Sequence, residues 1–167
     1  MRWPHHILVP NSLQGLFQRA VSKVTGANSE VVRLFAVFHD SRRVVETTDP
    51  SHGLRGARFA DELRGKLFDL NEDDFDLLFV ACAGHMDRSV DDDVTVQTCW
   101  DADRLDLGRL GAKADPFWLG EATVDEHADI MEWADLRARA NVVPKLTQRN
   151  WGISQAMLGG RDRKKPR

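Results

Sequence analysis

The sequence predicts an all-α fold, a single-domain helical bundle of five or more helices. Apolar residues recur at intervals of three and four positions in several segments, which is the spacing of a buried helix face. No segment shows the strict apolar–polar alternation that is typical of a half-buried strand. Small polar residues stand just before these segments, where their side chains can cap a helix. Several helices without strands favour a bundle around one core.

The predicted helices follow one another with short polar connections. The first begins after Asn11 or Ser12 and ends at Gly26, and the second is capped by Asn28 or Ser29. Because the second is apolar almost all round, we expect it at the centre of the domain. Further helices are predicted over 54–67, 71–82, 94–107 and 124–140. Loops are predicted over 46–53 and 87–93.

Composition indicates an ordinary globular protein of 167 residues, with 42% hydrophobic and 29% charged residues. We expect one domain over 1–158 and a disordered basic tail over 159–167. The net charge of −3 gives no electrostatic reason to expect nucleic acid or an anionic membrane as partner. No apolar stretch reaches the roughly 18 residues of a membrane span, and no secretion signal is recognised. Cys82 and Cys99 lie in apolar helical contexts, which favours buried, reduced thiols in the cytoplasm over a disulfide.

The pair His39-Asp40 ends the predicted central helix and is the strongest sign of chemistry. A carboxylate at the end of such an apolar helix needs a partner, because a buried unpaired charge is costly. Imidazole nitrogen and carboxylate oxygen together suit a divalent cation, and ligands from other segments are then required. The candidates are His52, His85, Asp101 and Asp103. The two aspartates point to different faces of a helix, so we expect one at the metal and the other facing Arg104 or solvent.

Two motifs resemble the HD-domain superfamily of metal-dependent phosphohydrolases. Residues 34–40 (LFAVFHD) resemble its apolar helix with the His-Asp pair, and residues 99–106 (CWDADRLD) resemble its closing motif. The resemblance implies an HD-type bundle whose metal is held by a first histidine, the His39-Asp40 pair and Asp103, with Asp101 as second choice. The first histidine would be His6, with His5 as the alternative. His52 and His85 would correspond to the additional histidines of two-metal members.

The resemblance implies hydrolysis of a small phosphorylated substrate, with a nucleotide favoured, by water activated on one or two divalent ions. Mn, Co, Ni, Fe, Mg and Zn all remain open, as do phosphomonoesterase and phosphodiesterase activity. Asp40 is expected to orient the attacking water as well as bind metal. His85 is expected to protonate the leaving oxygen or hold a second ion. His52 is a candidate for substrate contact as well as for metal.

Three arginines are candidates for substrate binding. Arg42 and Arg43 directly follow the His-Asp pair, and Arg55 follows His52 by three positions. A guanidinium group matches two phosphate oxygens, and Arg42 is expected to act in catalysis as well. The alternative interpretation is a catalytically degenerate HD-type domain that binds a nucleotide or a protein partner. The oligomeric state is left open, with a homodimer as one option.

Overall fold

The computed structural model describes residues 25–45, 48–86, 90–107 and 115–120, and the single positions Ser22, Glu132 and Leu136. These residues form four α-helices, which we number α1 (Ser29–Phe38), α2 (His52–Leu63), α3 (Glu72–Gly84) and α4 (Val94–Asp106), and a 3₁₀ helix at Pro116–Trp118. No β-strand occurs within these residues, so the all-α prediction is confirmed for the described part of the chain. The helices predicted over 11–26 and 124–140 lie outside it, except for single helical positions.

Polar caps begin three of these helices. Asn28, Asn71 and Asp93 each accept hydrogen bonds from backbone N–H groups in the first turn of α1, α3 and α4. These bonds satisfy donors that have no partner inside the helix. The Asn28 side chain also donates to the carboxylate of Asp74 at 2.9 Å, so the start of α1 is tied to the start of α3. The predicted cap at Asn28 is therefore confirmed, and Asn71 caps α3.

Helix α2 differs from its predicted range of 54–67. It begins two residues earlier, at His52, and ends four residues earlier, at Leu63. The chain turns at Gly65, whose φ of 71° lies in the left-handed region that a residue without a Cβ adopts readily. The helical spacing that continued to Leu67 was misleading, because that side chain is 77% exposed and lies outside the core.

The core forms around α1, which contacts the other three α-helices. Val31, Val32 and Phe35 are fully buried, so the prediction that this apolar helix lies at the centre is confirmed. Trp100 of α4 is also fully buried, and its indole N–H donates to the carbonyl oxygen of Ala81 in α3 at 2.9 Å. A buried indole needs such a partner, so this bond fixes how α4 meets α3.

The two cysteines are buried, unpaired thiols in α3 and α4, as the sequence predicts. None of the helices in the described part of the chain is long and apolar enough to cross a lipid bilayer.

Candidate metal centre

His39 directly follows the last residue of α1 and is buried there, with 3% of its surface exposed. Its Nδ1 lies 2.9 Å from the carbonyl oxygen of Phe35, and its ring stacks on the Phe35 ring at 4.6 Å. A carbonyl oxygen only accepts hydrogen bonds, so Nδ1 is the atom that carries the proton. The Nε2 atom is then the one available as a ligand, and it faces the carboxylates of Asp40 and Asp103.

His52 and His85 have the same arrangement as His39. The Nδ1 of His52 donates to the carbonyl oxygen of Asp49 at 2.5 Å, and the Nδ1 of His85 donates to that of Cys82 at 2.8 Å. Three imidazoles therefore each anchor one nitrogen on the main chain and direct the other inward. Histidines that bind metals typically donate their second N–H in this way, because the bond fixes both tautomer and ring orientation.

The inward nitrogens meet at Asp40. Its Oδ1 lies 2.9 Å from the Nε2 of His52 and 3.9 Å from the Nε2 of His85. The two Nε2 atoms are 2.9 Å apart. When both rings are neutral with hydrogen on Nδ1, these atoms are two acceptors and cannot bond to each other. A proton or a cation between them is needed to make this contact favourable.

The separations fit one bound ion. Nitrogen and oxygen ligands lie about 2.0–2.2 Å from a transition-metal ion, so two ligands of the same ion are at most about 4.4 Å apart. The three distances among Asp40, His52 and His85 are all below that limit. Two nitrogens and a carboxylate oxygen form a donor set that suits divalent ions such as Mn, Fe, Co, Ni or Zn.

Asp40 also faces a second group of side chains. Its Oδ2 lies 3.7 Å from the Nε2 of His39, and that nitrogen lies 3.4 Å from Oδ1 of Asp103 in α4. One oxygen of Asp40 thus faces His52 and His85, and the other faces His39. The Asp40 carboxylate lies between two groups of ligand atoms, which we call together the His-Asp cluster (His39, Asp40, His52, His85 and Asp103).

The charges within the cluster favour a cation. Burial raises the pKa of Asp40. The hydrogen bond with His52 and the nearby positive charges lower it by more, so the net shift of this pKa is downward. Burial likewise opposes ionisation of Asp103, yet the hydrogen bond with His39 lowers its pKa overall. Both carboxylates are therefore ionised at neutral pH. Burial, with the neighbouring charges of His39 and His52, lowers the pKa of His85 although Asp103 opposes this, which keeps that ring neutral and able to bind a metal.

The pKa values of the other two histidines move upward. The hydrogen bond with Asp40 is the main cause for His52. For His39, burial lowers the pKa, but the hydrogen bond and charge of Asp103 and the charge of Asp40 together raise it. Each of these rings holds a proton more tightly when no metal is bound, because a carboxylate is its direct neighbour.

Asp101 lies outside the cluster, in a different environment from Asp103. It is buried, with 1% of its surface exposed, and its Oδ1 accepts a hydrogen bond from the side-chain amide of Gln97 at 2.6 Å. The backbone N–H of Gly120 also donates to it, at 3.1 Å from Oδ2. Arg104 lies 3.9 Å away, as expected for the aspartate that faces away from the metal. The geometry thus favours Asp103 over Asp101 as a ligand.

The three arginines that the sequence proposes for phosphate have different surroundings. The guanidinium of Arg42 lies over the ring of Phe59, 3.8 Å from its centroid. Arg55 holds both carboxylate oxygens of Asp49 at 2.6 Å. Arg43 alone of the three contacts a side chain of the cluster, with NH1 3.3 Å from Oδ2 of Asp40. His5 and His6 lie outside the described residues.

Two features that build the site are absent from the sequence predictions. Asp49 orients His52 through its carbonyl oxygen and holds Arg55 through its carboxylate. Gly53 and Gly56 lie on the inner side of α2, where a Cβ at Gly56 would come within 2.2 Å of the carbonyl oxygen of Phe38. These glycines bring His52 close enough to the end of α1 to reach Asp40. The only signal in the sequence was the spacing of glycines three apart directly after His52.

Comparisons of the chain with protein-family models, with curated proteins and with solved structures found no match. The function is therefore inferred from the geometry and chemistry of the His-Asp cluster.

Proposed function

We propose that this chain is a metal-dependent phosphohydrolase that acts on a small phosphorylated substrate, with a nucleotide favoured, through one or two divalent ions. The observation that carries the proposal is the position of the Asp40 carboxylate. It lies between the inward-facing Nε2 atoms of His52 and His85 on one side and that of His39 on the other. Few structural roles require three buried imidazoles to direct a nitrogen at one carboxylate.

The order of the ligands along the chain supports an HD-type bundle of five or more helices. His39 and Asp40 follow α1, His52 begins α2, His85 follows α3, and Asp103 lies in the last turns of α4. Each of the four helices thus places at least one donor at the same site. Apart from the first histidine, since His5 and His6 lie outside the described residues, this order agrees with that expected from the HD-domain superfamily that the two sequence motifs resemble.

These residues would hold a divalent ion, which would activate water and polarise a phosphoryl oxygen. Asp40 is the most exposed member of the cluster, with 36% of its side chain accessible. It is therefore the carboxylate that reaches the water and the substrate. Its oxygens accept hydrogen bonds from the attacking water and orient it. His85 has 1% of its side chain exposed and its Nδ1 is bound to the main chain, which favours a ligand role over proton donation to a leaving group.

We propose that the protein is cytoplasmic. Two buried unpaired thiols support it, since thiols stay reduced there.

Metal analysis combined with a screen of phosphate esters tests the function. The purified chain is loaded with manganese, cobalt or nickel, and its metal content and ester hydrolysis are measured. We expect bound metal and metal-dependent turnover. Asp40→Asn and His52→Gln should abolish both and keep the helical circular-dichroism spectrum. Arg33→Gln is the control, because that side chain is exposed on α1 and pairs with Glu30.

The same experiment separates the two functions that the sequence leaves open. Metal uptake without turnover of any ester would favour the degenerate HD-type domain that binds a nucleotide or a protein partner. A chain that takes up no metal after supplementation would reject both the metal site and the enzyme.

A further inference from the structure

Arg43 lies where the His-Asp cluster meets solvent. The side chains of His39, His52 and His85 are at most 3% exposed, whereas those of Asp40 and Arg43 are 36% and 30% exposed. The Asp103 side chain is 24% exposed, so a substrate that approaches the cluster meets Asp40, Arg43 and Asp103 before the histidines. In the described part of the chain, Arg43 is the arginine whose guanidinium contacts Asp40 at this exposed edge.

The donors of Arg43 are only partly used. Its NH1 contacts the two oxygens of Asp40 at 3.4 and 3.3 Å, and its Nε lies 3.3 Å from the carbonyl oxygen of Val45. Strong charge-assisted pairs are shorter, at about 2.7–2.9 Å, so these contacts are readily exchanged for others. Within the described part of the chain the NH2 group of Arg43 makes no hydrogen bond.

The other two arginines near the cluster are committed elsewhere. Arg55 donates from Nε and NH2 to the carbonyl oxygen of Arg42 and from NH2 to Asp49 at 2.6 Å. The guanidinium of Arg42 stacks on Phe59. Removing either group from its partner costs a short ion pair or a cation–π contact. Arg43 would lose only its longer contacts, at 3.3 and 3.4 Å, on turning to a phosphate group.

We propose that Arg43 anchors the phosphoryl group and that the site thereby takes a terminal phosphate monoester in preference to a diester. The inference rests on the proposed function and names its substrate class. A guanidinium group binds two phosphate oxygens side by side through its planar fork. A monoester has three non-bridging oxygens, so two can bind Arg43 while the third faces the cluster. A diester has only two non-bridging oxygens. When both bind the guanidinium fork of Arg43, none is left to face the cluster.

Binding of two small phosphorus compounds tests the inference without relying on turnover. The manganese-loaded full chain is titrated by calorimetry with methylphosphonate, which has three non-bridging oxygens, and with dimethyl phosphate, which has two. We expect methylphosphonate to bind about tenfold more tightly or better. Arg43→Gln should weaken its binding by about tenfold or more and remove most of the preference. Arg43→Lys keeps the charge without the fork, and should also lose much of the preference.

The variants need matched controls. Arg33→Gln makes the same chemical change on the exposed face of α1 and should bind both compounds as the parent chain does. Manganese content measured on every variant shows whether the metal site survives, and circular dichroism shows whether the helices do. Because the Arg43 side chain reaches solvent, we expect both to be unchanged.

Two kinds of failure are distinguishable. If the parent chain takes up no manganese, the proposed function fails and this inference fails with it. If manganese is bound but Arg43→Gln and Arg43→Lys bind methylphosphonate as the parent does, only the role of Arg43 is overturned. Equal affinity of the parent for both compounds, or a loss that falls on Arg42→Gln instead, overturns it as well.

Discussion

The carbonyl oxygen of Cys82 in α3 lies so close to the backbone of Gly53 in α2 that a Cβ at Gly53 would come within 2.3 Å of it. That Cβ would also come within 2.9 Å of the His85 ring. The same carbonyl oxygen accepts the hydrogen bond that orients His85. One residue without a side chain therefore sets the distance between α2 and α3, and with it the distance between His52 and His85.

Gly53→Ala should separate these two helices. A methyl group that meets a backbone carbonyl cannot be accommodated by a side-chain rotation, so α2 must shift and carry His52 with it. We expect the free energy of unfolding to fall by about 1–3 kcal/mol and the affinity for manganese to fall more clearly than that. Urea denaturation and metal titration measure the two effects. Arg58→Ala, on the exposed face of α2, is the control, and unchanged metal affinity in Gly53→Ala would contradict this account.

Asp101 and Asp103 lie two residues apart in α4 and should respond differently to the same substitution. Asp103→Asn removes a charged oxygen that faces His39, so metal affinity should fall by about tenfold or more with little change in stability. Asp101→Asn replaces a buried acceptor for Gln97 and Gly120, so the free energy of unfolding should fall by about 1–3 kcal/mol. Metal titration and urea denaturation of both variants check this. The opposite pattern would make Asp101 the ligand.

Arg55→Lys tests whether Arg55 positions the site or binds substrate. The short bonds from Arg55 hold Asp49, whose carbonyl oxygen orients His52. Lysine keeps the charge but cannot reproduce the fork, so His52 should lose part of its orientation. We expect metal affinity to fall by about tenfold, the size of effect usual for partners that orient ligands. If metal affinity is retained and only methylphosphonate binding is weakened, Arg55 is a substrate-binding residue as the sequence suggested.

Stability should depend on pH in opposite directions with and without metal. In the metal-free chain the pKa values of His39 and His52 lie above the ordinary value of 6.5. Their contribution to stability is therefore complete below the unfolded pKa and is lost as pH rises through the folded pKa. His85 has the opposite effect on the pH dependence of stability, because burial lowers its pKa, but this one histidine opposes the two others. The melting temperature of the metal-free chain should fall between about pH 6 and pH 8.

With saturating manganese the trend should reverse. Histidine binds a metal only after losing its proton, so acidification from about pH 8 to pH 6 releases the ion and the stability that the ion supplies. Thermal melts in manganese and in a chelator, at the same series of pH values, show both trends. His52→Gln should weaken the pH dependence in both buffers. Parallel curves for the two buffers would mean that protons and metal do not compete at these histidines.

The sequence indicated His39, Asp40 and Asp103 as site residues more directly than it indicated His52 and His85. The apolar helix before His39-Asp40 and the spacing of Asp103 are side-chain patterns, and they indicated residues that the structure brings together. His52 and His85 are predicted only as candidate partners for the His-Asp pair. A pattern of residue types could indicate these positions because burial and helical spacing are properties of side chains.

The sequence could not indicate the contacts that the main chain makes with the site. The acceptors that orient the three histidines are carbonyl oxygens of Phe35, Asp49 and Cys82, and every residue has a carbonyl oxygen. The direction of a long arginine side chain was equally beyond a pattern. Arg42 and Arg43 are neighbours of the same type, yet one stacks on Phe59 and the other contacts Asp40. The close approach at Gly53 depends on a neighbour 29 positions away, Cys82.

The two thiols bear on which donor atoms the proposed metal site can offer. Burial raises the pKa values of Cys82 and Cys99 far above the ordinary range, so both sulfurs keep their protons at any physiological pH. A protonated, buried sulfur is a poor ligand and a poor nucleophile. Although Cys82 holds His85 through its carbonyl oxygen, the cluster itself presents only nitrogen and oxygen donors. A thiophilic ion such as cuprous copper or cadmium would therefore gain no sulfur ligand from this cluster.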